Sequence, residues 1–425
     1  ASCHTSSNNV RERVRRVAEL GTQGDRELVA VAAHVYFDSP LFVVNVRYRM
    51  ALTAPGEVDH PYSAPAAALI SASQTSSFGV PRVRTIDPLR PGAWDVLFTA
   101  QMRCSVFHSE GWARVLHQSY GHAPYYLAAM DDEGAGALLP IMEVDSPLTG
   151  RRGVAVPFSD ECAAVCAANH DAAYLFERAL ELGRERKWKY LEVRGAIPGI
   201  ASTAIPWANY VGHVLDLSVG LEALFTGLDA SVRRAIRKAE KNGVRIAQSK
   251  SAEAMESYYW LHCMTRRKHG MPPQPLAFFQ KIVEHLFDTN QGFIMEARHE
   301  GHLVAASVFL HRGRAAIYKF GASDPSRLNL RANDLLMWAA IQWFAEQGYT
   351  ELSMGRSAAS NEGLRRFKRG FGTTEQPIRY FRHDLRQEKF VAGMEETENW
   401  VNRMLRLTPL TFLKMVGRTL YPHLH

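Results

Sequence analysis

The chain has 425 residues, enough at roughly 100–200 residues per domain for two or three domains and a sizeable core. Its 46% hydrophobic and 22% charged residues are ordinary for a globular protein, and a net charge of +7 favours anionic partners without choosing between nucleic acid, phosphorylated carriers and a membrane surface. Five scattered cysteines argue against a disulfide framework, no apolar run approaches the ~18–20 residues of a bilayer span, and the start does not read as a secretory signal. The expected location is the cytoplasm, with work at the membrane surface left open.

Residues 1–84 read as an extension: a charged helix-like piece (Val10–Leu20), an apolar run (Leu41–Val46) and an Ala/Ser/Pro-rich linker (Ser63–Ser77). From about residue 85 one pattern occurs twice. Tyr125–Met130 and Ala137–Val144 read as paired strands around an Asp-Asp-Glu-Gly turn, followed by an amphipathic helix Asp171–Arg186 and a strand Tyr190–Val193. Phe293–Arg298 and Leu303–His311 repeat the pair around His-Glu-Gly-His, followed by Asn333–Gln347 and Thr350–Met354. Corresponding pieces lie about 160–170 residues apart, which predicts two homologous α/β units. The expected division is 1–84, 85–217, 218–389 and 390–425.

Cys162, Cys166 and His170 share a four-residue spacing, but no fourth ligand accompanies them; small buried thiols are expected and no metal. The most unusual stretch is 228–246. Asp229 or Ser231 can cap a helix that Asn242-Gly243 stops, and Leu228, Val232, Ala235, Ile236 and Ala239 form one apolar stripe. Arg233, Arg237 and Lys241 then align on one face beside Arg234 and Lys238, with Glu240 as the lone acid. Such a row suits phosphates; a solvated helix is the plain alternative. Trp400–Leu420 is basic and amphipathic, broken by Pro409. It either lies in an anionic membrane interface or, as expected here, covers the first unit.

Several segments carry a family resemblance. They are Phe107-His108-Ser109-Glu110-Gly111-Trp112 with Ser119-Tyr120-Gly121, Ser146–Arg152, Pro157-Phe158-Ser159-Asp160, Val232–Val244, Tyr318–Asp324, and Met354-Gly355-Arg356-Ser357 followed by Arg366-Phe367-Lys368-Arg369-Gly370-Phe371-Gly372. Together with the strand–turn–strand, helix, strand order they resemble the FemAB transferases, a tandem of GNAT-fold units. The likeness is to the FemAB-like proteins of exosortase/PEP-CTERM and exopolysaccharide systems, over roughly residues 100–390. The resemblance implies an α/β (α+β) fold of two GNAT-like units with a cleft between them. It also implies a transferase that moves an aminoacyl group from tRNA to an amine on an envelope or exopolysaccharide precursor. The long coiled-coil arm of some members has no counterpart between Val244 and Phe293, where Pro272, Pro273 and Pro275 intervene.

Amide formation needs a neutral amine, a stabilised oxyanion and a held donor. In ordinary GNAT enzymes a glycine turn at a helix start cradles the pyrophosphate of acyl-CoA. Here that place reads Arg327-Leu328-Asn329-Leu330-Arg331-Ala332, with Leu330 at the glycine position, and the first copy reads Ala167-Ala168-Asn169-His170. A side chain there would crowd the backbone approach, so aminoacyl-tRNA is the expected donor and acyl-CoA the less favoured one. By resemblance Lys368 is the catalytic cation at the oxyanion and Phe367 shapes the donor pocket. Arg356, after Gly355 at a predicted strand end, is a second catalytic candidate. Asp160 is either a partner or general base for the acceptor amine, or a helix cap. Phe158, Ser159, Lys319 and Tyr318 are candidate substrate contacts, Lys319 for phosphate and Tyr318 as packing, since only one of the pair can face the cleft. Two rivals stay open: an acyl-CoA-dependent N-acyltransferase on an amino sugar, and a non-catalytic RNA- or membrane-surface-binding protein.

Overall fold

The fold is given by a computed structural model that describes residues 82–90, 92, 104–131, 134–166, 173–196, 204–393 and 400–425. The expectations for Val10–Leu20, Leu41–Val46, the linker and His170 lie outside the described residues.

In chain order the first half contains β1 (Arg82–Ile86), α1 (Glu110–Tyr120), β2 (Ala123–Pro124), β3 (Tyr126–Asp131), β4 (Gly134–Leu139), β5 (Met142–Val144), β6 (Arg152–Val154), β7 (Val165–Cys166), α2 (Ala173–Glu185) and β8 (Tyr190–Arg194). Then follow β9 (Ala208–Asp216), α3 (Leu221–Gly227), the basic helix α4 (Ala230–Lys241), β10 (Arg245–Ser249), α5 (Ala252–Lys268) and α6 (Leu276–Ile282). The remainder is β11 (Gly292–His299), β12 (His302–Arg312), β13 (Ala315–Ser323), α7 (Ala332–Glu346), β14 (Glu351–Ala358), α8 (Glu362–Arg369), β15 (Thr374–Asp384), β16 (Lys389–Phe390), α9 (Trp400–Arg406) and α10 (Leu410–Leu420).

The repeat is present, with one correction. The strand expected over 137–144 is two strands, because Pro140 lacks the N–H a ladder needs. β4 ends before it and stays in a four-stranded sheet, β1-β3-β4-β7, whereas β5 joins a second, long sheet. That sheet runs β10-β11-β12-β13-β14-β9-β15-β8-β6-β5-β2 and crosses both units without a break. The crossing is made by exchange. β9 lies between β14 and β15, antiparallel to both, and β15 pairs onward with β8 of the first half, with Tyr380 opposite Arg194.

Two strand pairs in this sheet are parallel: β6 with β8, and β13 with β14. The second pair is joined only from Ala315↔Glu351 to Ile317↔Ser353, although both strands continue, to Ser323 and Ala358. Beyond Ser353 they part and leave an opening.

Apolar side chains sort into three buried clusters. One places α2 on the first half's strands, one places α4 and α7 on the second half's, and one joins α1, α5, α6 and α10. The expected stripe of α4 is buried at Leu228, Val232, Ile236 and Ala239, and Gly243 takes the left-handed stop at φ 76°. Asp229 stands at the N-cap, but its side chain caps nothing. The C-terminal segment splits at Pro409 as expected. Leu413, Val416 and Leu420 of α10 are buried, and a β-carbon on Gly417 would lie 2.0 Å from the Pro273 carbonyl, so α10 rests directly on backbone. Exposed apolar side chains on this segment are Met404, Leu407 and Met415. Among the described residues no helix is long and apolar enough to cross a membrane, and no His/Cys/Asp/Glu group could hold a metal ion.

Candidate active site

The opening between β13 and β14 is entered by a loop of the other half. After β6 the chain turns through Val156 at φ 53° and Phe158 at φ 60°, left-handed conformations that cost of order 1–3 kcal/mol each for residues with a β-carbon. The surroundings hold that strain. Ser159 Oγ donates to Val156 O at 2.7 Å, Arg194 Nη1 donates to Ser159 O at 3.1 Å, and Tyr380 Oη donates to Asp160 O at 2.7 Å. Phe158 packs 5.2 Å from the Tyr120 ring and 5.8 Å from Tyr421. Asp160 caps no helix; it is delivered into the second unit's opening, where Lys319 Nζ donates to Oδ2 at 2.7 Å and the Arg356 amide faces Oδ1 at 3.5 Å. Gly355 makes the turn beside it at φ 68°, a conformation suited to glycine.

Lys368 completes the group. The Asn361 side chain caps α8 by accepting from the Leu364 amide, and the helix carries Lys368 inward until only 3% of it is exposed. Its Nζ donates to Gly355 O at 3.1 Å and to Arg356 O at 2.9 Å, leaving a third N–H. Burial lowers its pKa to about 8; Asp160 opposes the shift, while Arg356 and Lys319 add to it. Near neutrality Lys368 is therefore mostly charged but close to giving up its proton. Burial pushes the Asp160 carboxyl up, yet Lys319, Arg356 and Lys368 together hold it below its ordinary value. A carboxylate pinned in its charged form is a weak proton acceptor and a good partner for an ammonium group. Lys319 is lowered by burial against the pull of Asp160, and its ammonium also lies 5.0 Å from the Phe107 ring centre. The ammonium that the sequence assigns to phosphate is thus already engaged within the protein.

Arg356 lies against a pair of touching tyrosines, its guanidinium carbon 4.1 Å from the Tyr210 ring centre and 4.9 Å from that of Tyr380, with the two ring centres 5.0 Å apart. Its Nη1 is buried without a hydrogen-bond partner. β9 supplies Tyr210 and β15 supplies Tyr380, so strand exchange builds this part of the site.

The other expected residues fall elsewhere. Tyr318 packs against Phe309 at 5.6 Å in the second core, and Phe367 packs on Phe371 at 5.3 Å, on the helix that carries Lys368. Arg233 is tied down, donating to Thr226 O at 2.7 Å and Leu228 O at 2.5 Å, whereas Arg237 and Lys241 are exposed on α4. Leu330 turns into the core at 7% exposure, so its side chain does not cover the loop before α7 in the way the sequence suggests. Sequence reasoning missed Tyr210, Tyr380 and Arg194. It also missed a buried pair behind Lys368, where His213 Nε2 lies 3.1 Å from Ser357 Oγ. Tyr380 follows a strand-like alternation of Ile378, Tyr380 and Arg382, but nothing local reveals what it faces.

Comparison with known proteins gives the fold independently. The family model described as acetyltransferase (GNAT) domain matches residues 228–369. The crystal structure of FemX is similar with a TM-score of 0.52 and 12% identity, covering 64% of this chain and 91% of that one. A tandem GNAT protein from the clavulanic acid biosynthesis pathway gives a TM-score of 0.44 at 11% identity, covering 72% and 98%. L-PGS from Bacillus licheniformis gives 0.43 at 14% identity, covering 71% and 91%. No curated protein matches the sequence. With the duplicated pattern and the continuous mixed sheet, the chain is a tandem GNAT-fold protein of the α/β class whose residues 228–369 form an acetyltransferase-type domain.

Proposed function

We propose that the chain forms an amide bond, passing an aminoacyl or acyl group to an amine on a cell-envelope or exopolysaccharide precursor. The observation that carries this reading is Lys368: a cation buried to 3% exposure, with one N–H to spare, beside a carboxylate that the other unit inserts. A charged ammonium in a water-poor site stabilises the oxyanion of a tetrahedral intermediate without reorganising. Asp160, fixed as an anion, holds the incoming ammonium of the acceptor; that ammonium gives one proton to water, the free amine attacks the acyl carbon, and the intermediate collapses to the amide as the second nitrogen proton passes to the departing oxygen or sulfur of the donor. Aminoacyl-tRNA as donor is supported by the resemblance of the sequence to FemAB transferases and by the exposed cations of α4.

A second reading keeps acyl-CoA as the donor. Leu330 faces the core, so the backbone before α7 is not covered by that side chain, and the matched domain is of acetyltransferase type. One assay separates the two. Purified protein is supplied with aminoacyl-tRNA or acetyl-CoA and a set of amine acceptors, and new amides are sought by mass spectrometry. Products with aminoacyl-tRNA that vanish in Lys368→Met support the first reading, products only with acetyl-CoA support the second, and products indifferent to Lys368 defeat both.

A further inference from the structure

Arginines drawn into this protein are matched by acceptors. Buried Arg194 and Arg382 both reach Glu192, at 3.1 and 2.6 Å. Half-buried Arg186 and Arg365 reach Glu143 and Glu375, each at 2.8 Å. Buried Arg152 has no acid but donates to Thr149 Oγ1 and to the Gly150 and His423 carbonyls. Arg356 differs in degree. Arg382 also leaves its Nε buried without a partner, but its Nη2 is anchored on Glu192. Among the described residues no carboxylate lies within ion-pair distance of the Arg356 guanidinium, on which Asp160 and Glu192 act only from further off, and its Nη1 lies buried with nothing to donate to. A desolvated donor with no acceptor is destabilising, and more so when it is charged. Tyr210 and Tyr380, in edge contact with each other at 5.0 Å, attract the cation through their rings but offer its N–H groups nothing. A guanidinium seated on two rings with a buried N–H left unmatched can present that N–H to an anionic ligand.

We propose that Arg356 is an oxyanion subsite, taking a carboxylate or phosphate oxygen of the substrate on the edge that Tyr210 and Tyr380 hold in place. The carbonyl of Arg356 accepts from Lys368 and its amide faces Asp160, so the bound oxyanion lies within a residue's reach of both groups. The substrate class follows from that closeness. The reacting amine or acyl carbon carries an anionic group a few bonds away, as an α-amino acid or an amine beside a phosphate ester does, and a plain alkylamine is a poor substrate. The proposal rests on the amide-forming reading for its meaning but not for its test.

The test is calorimetric titration of the full chain with inorganic phosphate and, separately, with acetate, at ionic strength fixed by chloride. Wild type is expected to bind at least one of them saturably, with affinity reduced at least tenfold in Arg356→Gln. Arg356→Lys keeps the charge and guards against a folding defect; it is expected to bind several-fold more weakly than wild type, because an ammonium has no planar edge. Phosphate without acetate identifies a phosphate-bearing substrate, and acetate without phosphate a carboxylate-bearing one. Equal binding in Arg356→Gln, or no saturable binding by wild type, overturns the subsite. Arg356-dependent anion binding in a protein that transfers nothing would leave the subsite standing and remove only the amide-forming reading.

Discussion

Beside the parallel rungs of the first unit, Glu192 accepts from Arg194 at 3.1 Å and Arg382 at 2.6 Å and lies 3.1 Å from the His425 ring, while fully buried Arg152 donates to Thr149 Oγ1, Gly150 O and His423 O. Beside the parallel rungs of the second unit, the carboxylate that faces Lys319, Arg356 and Lys368 is Asp160, which arrives from the other half. Both clusters lie beside a parallel strand pair, and in both three cations share one acid. In the first, each arginine holds at least one acceptor within the protein: Glu192 for Arg194 and Arg382, a hydroxyl and two carbonyls for Arg152. In the second, the Arg356 guanidinium holds none among the described residues, which is how a site keeps attraction for an anionic ligand.

The contrast breaks most easily at Glu192. Replacing it with Ala strands two buried guanidinium groups, and removing one partner of a buried charge network costs about 3–5 kcal/mol. Urea unfolding is expected to show a loss of that size. A loss below about 1 kcal/mol would mean that the first cluster is not held together by its charges.

Lys368→Met sharpens the other side. It relieves the desolvation of a buried cation but leaves Gly355 O and Arg356 O without a donor, so stability is expected to stay within about 1–2 kcal/mol while turnover falls at least tenfold. A large thermal destabilisation with proportionate loss of activity would make Lys368 structural.

The pH dependence follows from the same residue. If Lys368 serves as the charged donor proposed above, activity is present below its folded pKa of about 8 and is lost as pH rises through that value. The kcat profile is expected to fall on the alkaline side near pH 8, and Lys368→Arg is expected to move that limb upward. The stability linkage has the opposite sense. The folded pKa is depressed below the ordinary lysine value of 10.5, so the unfolded chain binds more protons between about 8 and 10.5. The contribution of Lys368 to stability therefore improves with pH across that window, while activity declines. A limb that Lys368→Arg leaves in place would assign the titration elsewhere.

What the sequence reveals follows the range of the interactions. Hairpins, the helices α2 and α7, the stripe and glycine stop of α4 and the break at Pro409 are local, and periodicity or a single Pro or Gly reads them. Pro140 is equally local, but the apolar run continues through it and hides the strand break. Asp160 and Arg356 are legible because each follows a predicted strand end, and Lys368, inside α8, because its segment resembles a family motif. Their mutual placement is not, nor is the contact of Arg356 with Tyr210 and Tyr380. It depends on β9 pairing with β14 and β15, and β15 with β8, strands far apart in the chain, 144 residues in the case of His213 and Ser357. The crowding argued for Leu330 narrows to its β-carbon for a related reason: a residue name does not say which way its side chain turns, and here the core takes it.

The smallest expected effect on stability is on α4, where two arginines of one helical row differ. Arg233 donates to two carbonyls at the end of α3, so Arg233→Ala is expected to cost about 1 kcal/mol through the acceptors it abandons. Arg237 is exposed on the same helix, and Arg237→Glu is expected to change stability by less than about 0.5 kcal/mol. If α4 faces the phosphates of a donor RNA, the same Arg237→Glu variant should weaken tRNA binding and flatten the plot of log affinity against log salt. The expected change in slope is about 0.7–0.9 for each phosphate the helix no longer neutralises. Measured together, these quantities separate a helix kept basic for a ligand from one kept basic for solubility. An unchanged slope in a variant of unchanged stability would place α4 with the charged surface, and would leave Lys368, Arg356 and Asp160 as the whole of the site.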